Sequence, residues 1–434
     1  MGDRVADYRF QDAARKLVER GAQRIVVVPL LASRFSGHYD HRSRMMKKMR
    51  RGMGGVGILL AAAGCGRGEA ELEAMKGDVV ATYAEIVHAS YEDSFRAVEE
   101  MAAAIAVLLA APSEESLAAA RIAWLAAREP YGQTEAYRFY GGPIDAAGGP
   151  ETLLNPWPLD EGYVDYVEGA PESGIVNDVA AYPKLDRELL VSLNEAGAEE
   201  NLSVGFHAIE FLLWGQDLFA DGPGRRPYTD YVAGVGRNAE RRIEYLRIVT
   251  ELQVEKMEGL VAEWAPNDAT NYRTSFLALP RDEAVRRILV GIGVLAKSEL
   301  AGERMFTAYD NQDQEDEHSC FSDNTHRDIA ANALGLMNVL QGHYRRSDGS
   351  TISGVGMTAL FREVDSELAD EVEALATRSL RAVEAIPVPF DQAIVDPDSR
   401  PAVLDAVYAL MDLGDRIAEG GSALGLTINT ALPG

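Results

Sequence analysis

Four places in the chain set a carboxylate and an imidazole three residues apart: Glu85/His88, His207/Glu210, Glu315/His318 and Asp323/His326. On a helix this spacing puts both groups on one face, close enough to share a metal ion. Spacing alone discriminates poorly, because the chain has 68 acidic residues among 434 and only seven histidines, so about two such pairs arise by chance. Context has to choose among them. His207 and Glu210 lie in Gly205-Phe-His-Ala-Ile-Glu-Phe-Leu-Leu-Trp-Gly215, where every other residue is apolar or glycine. A carboxylate on so apolar a helix is costly unless it is paired or bound to a cation. The pair therefore reads either as a buried ion pair or as part of a metal site.

The elements that must position these groups are helices. Tyr83, Val87, Tyr91, Phe95, Val98, Met101, Ile105 and Leu108 step by threes and fours, as one buried helix face does. Pro112-Ser113-Glu114-Glu115 stops that helix and caps the next, expected over 118–139 with Pro130 inside it. A loop-rich stretch from 141 to about 198 follows and contains Asn155-Pro-Trp157-Pro-Leu-Asp160-Glu161. Long irregular stretches of this kind often carry function. A helix over 204–214 closes the first half. Helices over 235–264, 281–309 and 326–344, then two more with stripes from Val364 and Leu404, make up the second. No run after residue 65 alternates like a strand. The expected fold is all-α, two packed helical bundles over 70–220 and 228–430, with a similar order of elements in each half.

Composition narrows the partners. With 42 basic and 68 acidic side chains the formal net charge is −26, which disfavours nucleic acid and favours cations. Two cysteines, Cys65 and Cys320, cannot build a disulfide scaffold, and Cys320 beside His318 and Phe321 reads as a buried thiol.

The first 65 residues are of another kind. Lys47, Lys48, Arg50 and Arg51 precede a short apolar run ending Ala62-Ala63-Gly64-Cys65, the order of a secretory signal, and the run is too short to span a bilayer. Its end resembles the bacterial lipobox, with Ala62 where leucine is usual, so Cys65 is the expected lipidation site and 45–65 the expected signal. Residues 1–44 read as a helix and a buried-type strand weakly similar to part of a sirohydrochlorin chelatase-type domain. They point to a start assigned too early, with Met45, Met46 or Met49 as the true one, or to an unrelated extension. A chain beginning at Cys65 would carry 29 basic and 63 acidic groups, a net charge of −34.

Gly205-x-His207-x-x-Glu210 matches the GxHxxE signature of the imelysin family. Further segments resemble its iron-regulated protein A branch: Trp124 to Phe139 with Arg128, Glu135 and Arg138; Trp157-Pro-Leu-Asp160-Glu161; Glu299 to Met305 with Glu303 and Arg304; and Asp313 to Asp328 with His318 and Cys320. The resemblance covers about residues 75–430. It implies two helical bundles facing each other, the signature helix at the cleft between them, and an envelope protein tied to iron uptake. The expected site is a metal ion, iron before zinc or manganese, held by His207, Glu210 and Glu135, since one histidine and one glutamate leave any ion undercoordinated. Glu161, Glu303 and His318 are further candidates, and Arg128 and Arg304 are expected to orient carboxylates. No catalytic residue is assigned. The expected location is the periplasmic side of the outer membrane, lipid-anchored, with a metal ion or small metal complex and envelope iron-transport components as partners. Because the family was named for a peptidase activity, a zinc metallopeptidase is the alternative, although no His-Glu-x-x-His occurs and Phe211 stands where an adjacent second histidine would be. A ferroxidase is a third reading, requiring Glu85/His88 and Glu315/His318 to meet.

Overall fold

A computed structural model describes the backbone of residues 57–433 and the side chains from residue 68 onward. The expectations for residues 1–44, for the basic cluster at 47–51 and for the Cys65 side chain lie outside the described residues.

The stripe that begins at Tyr83 is buried almost throughout, along helix α1 (Gly57–Ala110), with Phe95 at its partly exposed margin. The helix stops just before Pro112. Ser113 then caps α2 (Glu114–Thr134) through a reciprocal box: its Oγ accepts from Ser116 N at 3.1 Å, and Ser116 Oγ accepts from Ser113 N at 2.9 Å. α2 continues past Pro130 for a further turn and tightens into a 3₁₀ turn at Glu135–Tyr137. The loop-rich stretch contains only short helices, Glu151–Leu154, Glu161–Val164 and Arg187–Leu193.

The signature helix α3 (Phe206–Trp214) is nine residues long and buried at every position. Glycine bounds it on both sides. Gly205 has φ 93°, and a Cβ there would stand 2.7 Å from Pro156 Cδ, so the first position of the signature admits no side chain. Gly215, at φ 71°, ends the helix.

Helix α4 (Ala239–Trp264), the expected opening of the second bundle, lies along α1 and touches α3. α5 (Arg281–Val294) runs directly into twelve residues of π-helix, Leu295–Phe306. π-turns are rare and recur at functional sites, and this one carries Glu299, Glu303 and Arg304. α6 (Thr325–Gln341) packs against α2 on one side and against α7 (Ser366–Glu384) on the other. α8 (Arg400–Ala423) lies along α7 and the π segment. The result is all-α, with α1, α2, α3 and α4 in one group and α5, α6, α7 and α8 in the other, joined by α6 on α2. One departure is a small antiparallel hairpin: Gly342, at φ 65°, ends α6 earlier than expected, and His343–Arg345 pairs with Thr351–Ser353. Among the described residues no helix is long and apolar enough to cross a membrane.

Candidate metal centre

Of the four carboxylate–imidazole pairs, one forms between side chains. His207 Nδ1 and Glu210 Oε2 are 2.8 Å apart, and both residues are at most 1% exposed. The others are diverted by their neighbours. Glu85 pairs with Arg273, and His88 turns to Glu92 at 3.9 Å. Glu315 sits in a 3₁₀ turn, while His318 meets Asp328. His326 Nδ1 lies 3.0 Å from the backbone carbonyl of Asp323, across the start of α6. The ferroxidase arrangement therefore has no geometric support, since Glu85 and Glu315 are each separated from the imidazole they were to accompany.

The signature helix is fixed from α2. Trp124 Nε1 donates to the carbonyl of Phe206 at 3.0 Å, and the Arg128 guanidinium lies 4.9 Å above the Phe206 ring. Glu210 has both oxygens occupied: Oε2 faces His207, and Oε1 accepts from Ser322 N at 3.0 Å and Ser322 Oγ at 2.6 Å. His207 Nε2, in contrast, is buried with no hydrogen-bond partner.

Next to it stands a second imidazole. The His207 and His318 rings are 4.8 Å apart, centre to centre. His318 Nδ1 lies 3.2 Å from Asp328 Oδ2, and Asn155 Nδ2 lies 3.3 Å from His318 Nε2. Arg128 ties these supports together, donating to Asp328 Oδ1 at 3.0 Å and to Asn155 Oδ1 at 2.5 Å. Ser319 and Asn324 also donate to Asp328, and Trp157 packs edge-on to His318 at 5.8 Å while donating to the carbonyl of Glu317.

Electrostatics follow from this packing. Burial holds the His207 imidazole well below its ordinary value, with His318 and Arg128 adding to the effect. Burial, then Arg304, lowers His318 to about 4 despite Asp328. Glu210 is pushed up to about 8 by burial, against the pull of Ser322. Burial would raise Asp328 too, but Arg128 and His318 hold it far below the carboxylate range. At neutral pH the hollow thus contains two uncharged imidazoles.

Glu135 occupies an adjoining place. Its Oε2 accepts from Arg138 at 2.7 Å and Arg304 at 2.5 Å, while Oε1 is buried and unpaired. Burial raises its pKa, but the two guanidiniums win and hold it at about 2. Arg304 also binds Glu299 Oε1 at 2.8 Å and Asn332 Oδ1 at 2.8 Å. Arg128 orients Asp328, a carboxylate that spacing did not single out. Glu303 lines a polar cavity of about 230 Å³ together with Arg304, Asn155, Trp157 and His318. Glu161 lies elsewhere, held by Gln216 and pushed up to about 7 by burial and by Glu315. Cys320 is a buried free thiol. Among the described residues no three His, Cys, Asp or Glu side chains converge as a ready-made metal cage.

Three residues of this centre escaped the sequence reading. Asp328 and Ser322 sit inside the segment Asp313 to Asp328 that carries the family resemblance, and Asn155 sits in the loop-rich stretch just before Trp157, but nothing marked Ser322 as the partner of Glu210.

Known proteins resemble this chain over most of its length. It is 25% identical over 376 residues to the iron-regulated protein A of Synechococcus elongatus, covering 84% of this chain and 90% of the relative. The fold matches a crystal structure described as an iron-regulated protein A precursor of Parabacteroides distasonis, with TM-score 0.63 and 22% identity over 81% of this chain and 95% of that one. It also matches an imelysin-like protein of Psychrobacter arcticus, with TM-score 0.56 and 14% identity over 82% and 98% of the two chains. The family model described as imelysin matches residues 87–417, a span that includes both imidazoles of the hollow and every carboxylate around them, and so the chain belongs to the imelysin family.

Proposed function

We propose that this protein captures a metal ion, iron before zinc or manganese, in the hollow between His207 and His318, and serves iron uptake at the cell envelope. One observation carries the reading: His207 Nε2 is buried and has no partner, and its ring stands 4.8 Å from a second neutral imidazole. An unpaired buried nitrogen is costly in a structural site, and a lone pair there suits a borderline cation. Behind the two rings, Glu210 and Asp328 take the Nδ1 positions, the carboxylate–histidine support that metal-binding imidazoles commonly have.

The residues fit an ion of incomplete protein coordination. His207 Nε2 and His318 Nε2 would hold it, once Asn155 withdraws from the latter. Glu210 would reach it only by releasing His207 or Ser322, so it acts first as the orienting partner of His207. Glu135 would approach through its unpaired Oε1. A bound cation would supply charge that draws the remaining oxygen donors inward, and water would complete the shell. Two or three protein donors make a site that can release its cargo, as a relay in uptake must. The name of the Synechococcus relative supports iron as the metal, and the lipobox-like Ala62-Ala63-Gly64-Cys65 supports an envelope setting, in which Cys65 carries the anchor and a transport component receives the metal.

Calorimetric titration of the full chain with ferrous ion under anaerobic conditions, and with zinc, tests the reading. His207→Ala should weaken binding by about a hundredfold or more while the protein stays folded. Equal affinities in wild type and variant would remove this site.

A further inference from the structure

The two imidazoles of the hollow present their Nε2 atoms differently. His207 Nε2 is buried without a partner, whereas His318 Nε2 faces an amide, Asn155 Nδ2, at 3.3 Å. The surrounding contacts fix which group donates. His318 Nδ1 lies 3.2 Å from the Asp328 carboxylate, so it carries the ring proton and leaves a lone pair on Nε2. Arg128 Nη1 donates to Asn155 Oδ1 at 2.5 Å, so the NH₂ end of the amide must face the ring. Asn155, itself buried, thus covers the lone pair that a cation at His318 needs, and Arg128 keeps it from turning its oxygen there instead. A strap holds this amide in place. Asn155 ends the short helix Glu151–Leu154, its N–H reaching the Glu151 carbonyl. On one side Gln253 of α4 donates to the Leu154 carbonyl at 3.3 Å, and on the other Trp157 donates to the Glu317 carbonyl. Between them the strap presses on Gly205, where a Cβ would stand 2.7 Å from Pro156 Cδ and 3.0 Å from the Leu154 carbonyl oxygen. The glycine that opens the signature helix therefore makes room for the strap that carries Asn155.

We infer that Asn155 is a latch on the metal centre: its amide competes with the cation for His318 Nε2, so capture requires the strap to move and its return favours release. This rests on the proposed metal centre and names what controls its occupancy. Each ion bound costs one neutral hydrogen bond, so the latch weakens binding by about three- to tenfold. Removing Asn155 therefore strengthens binding, the reverse of what the loss of a ligand or of a positioning group does.

Calorimetric titration of the full chain with zinc and, anaerobically, with ferrous ion tests the latch in wild type, Asn155→Ala, His318→Ala and the double variant, with His207→Ala as the control for the centre. Asn155→Ala should bind about three- to tenfold more tightly than wild type. The gain should disappear in the His318→Ala background, where no nitrogen is left to uncover. Asn155→Asp keeps the oxygen that Arg128 needs, cannot donate to the ring, and serves where the alanine variant fails to fold. Its gain should be larger with His318 present than without it. An affinity equal to or below that of wild type overturns the latch and leaves the centre standing, and so does a gain as large without His318 as with it. Unaltered binding by His207→Ala overturns the centre itself, and no binding by wild type overturns both.

Discussion

Two buried polar clusters lie within this fold, and they are built on opposite rules. Around Asp165 every acceptor site is taken. Its Oδ2 receives Arg226 at 2.8 Å and Arg242 at 2.6 Å, and its Oδ1 receives Arg242 at 2.9 Å, Asn177 at 3.0 Å and the Tyr166 amide at 2.9 Å. Arg226 Nε and Nη2 are buried without a hydrogen-bond partner, and the guanidinium lies against the Tyr166 and Phe211 rings, 4.9 and 5.4 Å from their centres. The two guanidiniums bring charge to match, and their anchoring points join the loop-rich stretch to α4. Around His207 the supports are equally buried, yet the nitrogen they aim is left without a partner and without charge. A central carboxylate whose acceptor sites are all filled by charged and amide donors marks a cluster that holds the chain together. The second cluster differs in its centre, an imidazole nitrogen with neither partner nor charge.

The sharpest way to break that comparison is to remove the central group of each cluster. Asp165→Ala should cost about 3–5 kcal/mol in urea denaturation, because it strands two buried guanidiniums. His207→Ala strands no charge and should cost much less stability while losing metal binding. A mild Asp165 variant, or a His207 variant as unstable as it, would erase the distinction. A smaller effect sharpens the role of the supports: Asp328→Asn keeps the shape but weakens its hold on the His318 Nδ1 proton, and should lower metal affinity about 10–100-fold in the same titration.

Proton linkage gives the next test. Glu210 is pushed up to about 8, so at neutral pH it holds a proton that metal binding at His207 must displace if the carboxylate is to stay behind the ring. Affinity should therefore rise about tenfold per pH unit up to about pH 8 and level off above it. Both imidazoles are lowered, His318 to about 4, so they add no slope near neutrality. An affinity that does not change between pH 6 and pH 8 would show that metal binding releases no proton from Glu210. Smallest of all should be Ser322→Ala, which removes one hydroxyl donor from Glu210 and should cost about 1 kcal/mol, or roughly fivefold in affinity.

Much of this was legible in the chain. The stripe from Tyr83 to Leu108 became the buried face of α1, and the Pro112-Ser113 stop became a capping box. His207 and Glu210 were singled out because an apolar helix makes their burial unavoidable, and they do meet. Other features were not. The hairpin after Gly342 is six residues of strand, too short for alternation to register. Glu135 was chosen for its place on a helix with Trp124 and two arginines, but those charges point inward, and Arg138 and Arg304 claim it. Glu161 lies in a motif-rich segment, yet it faces Gln216.

What the sequence determined by itself was periodicity, capping and the unfavourable placement of two polar groups on a greasy helix. These follow from local geometry, which acts over a few residues. Only the tertiary structure decided that His318 and Asp328, more than a hundred residues further on, would stand against His207, and that Arg128 would serve Asp328 rather than Glu135. The physical reason is that a carboxylate in a dry interior goes to whichever donor packing brings within about 3 Å, and spacing along a chain does not carry that distance.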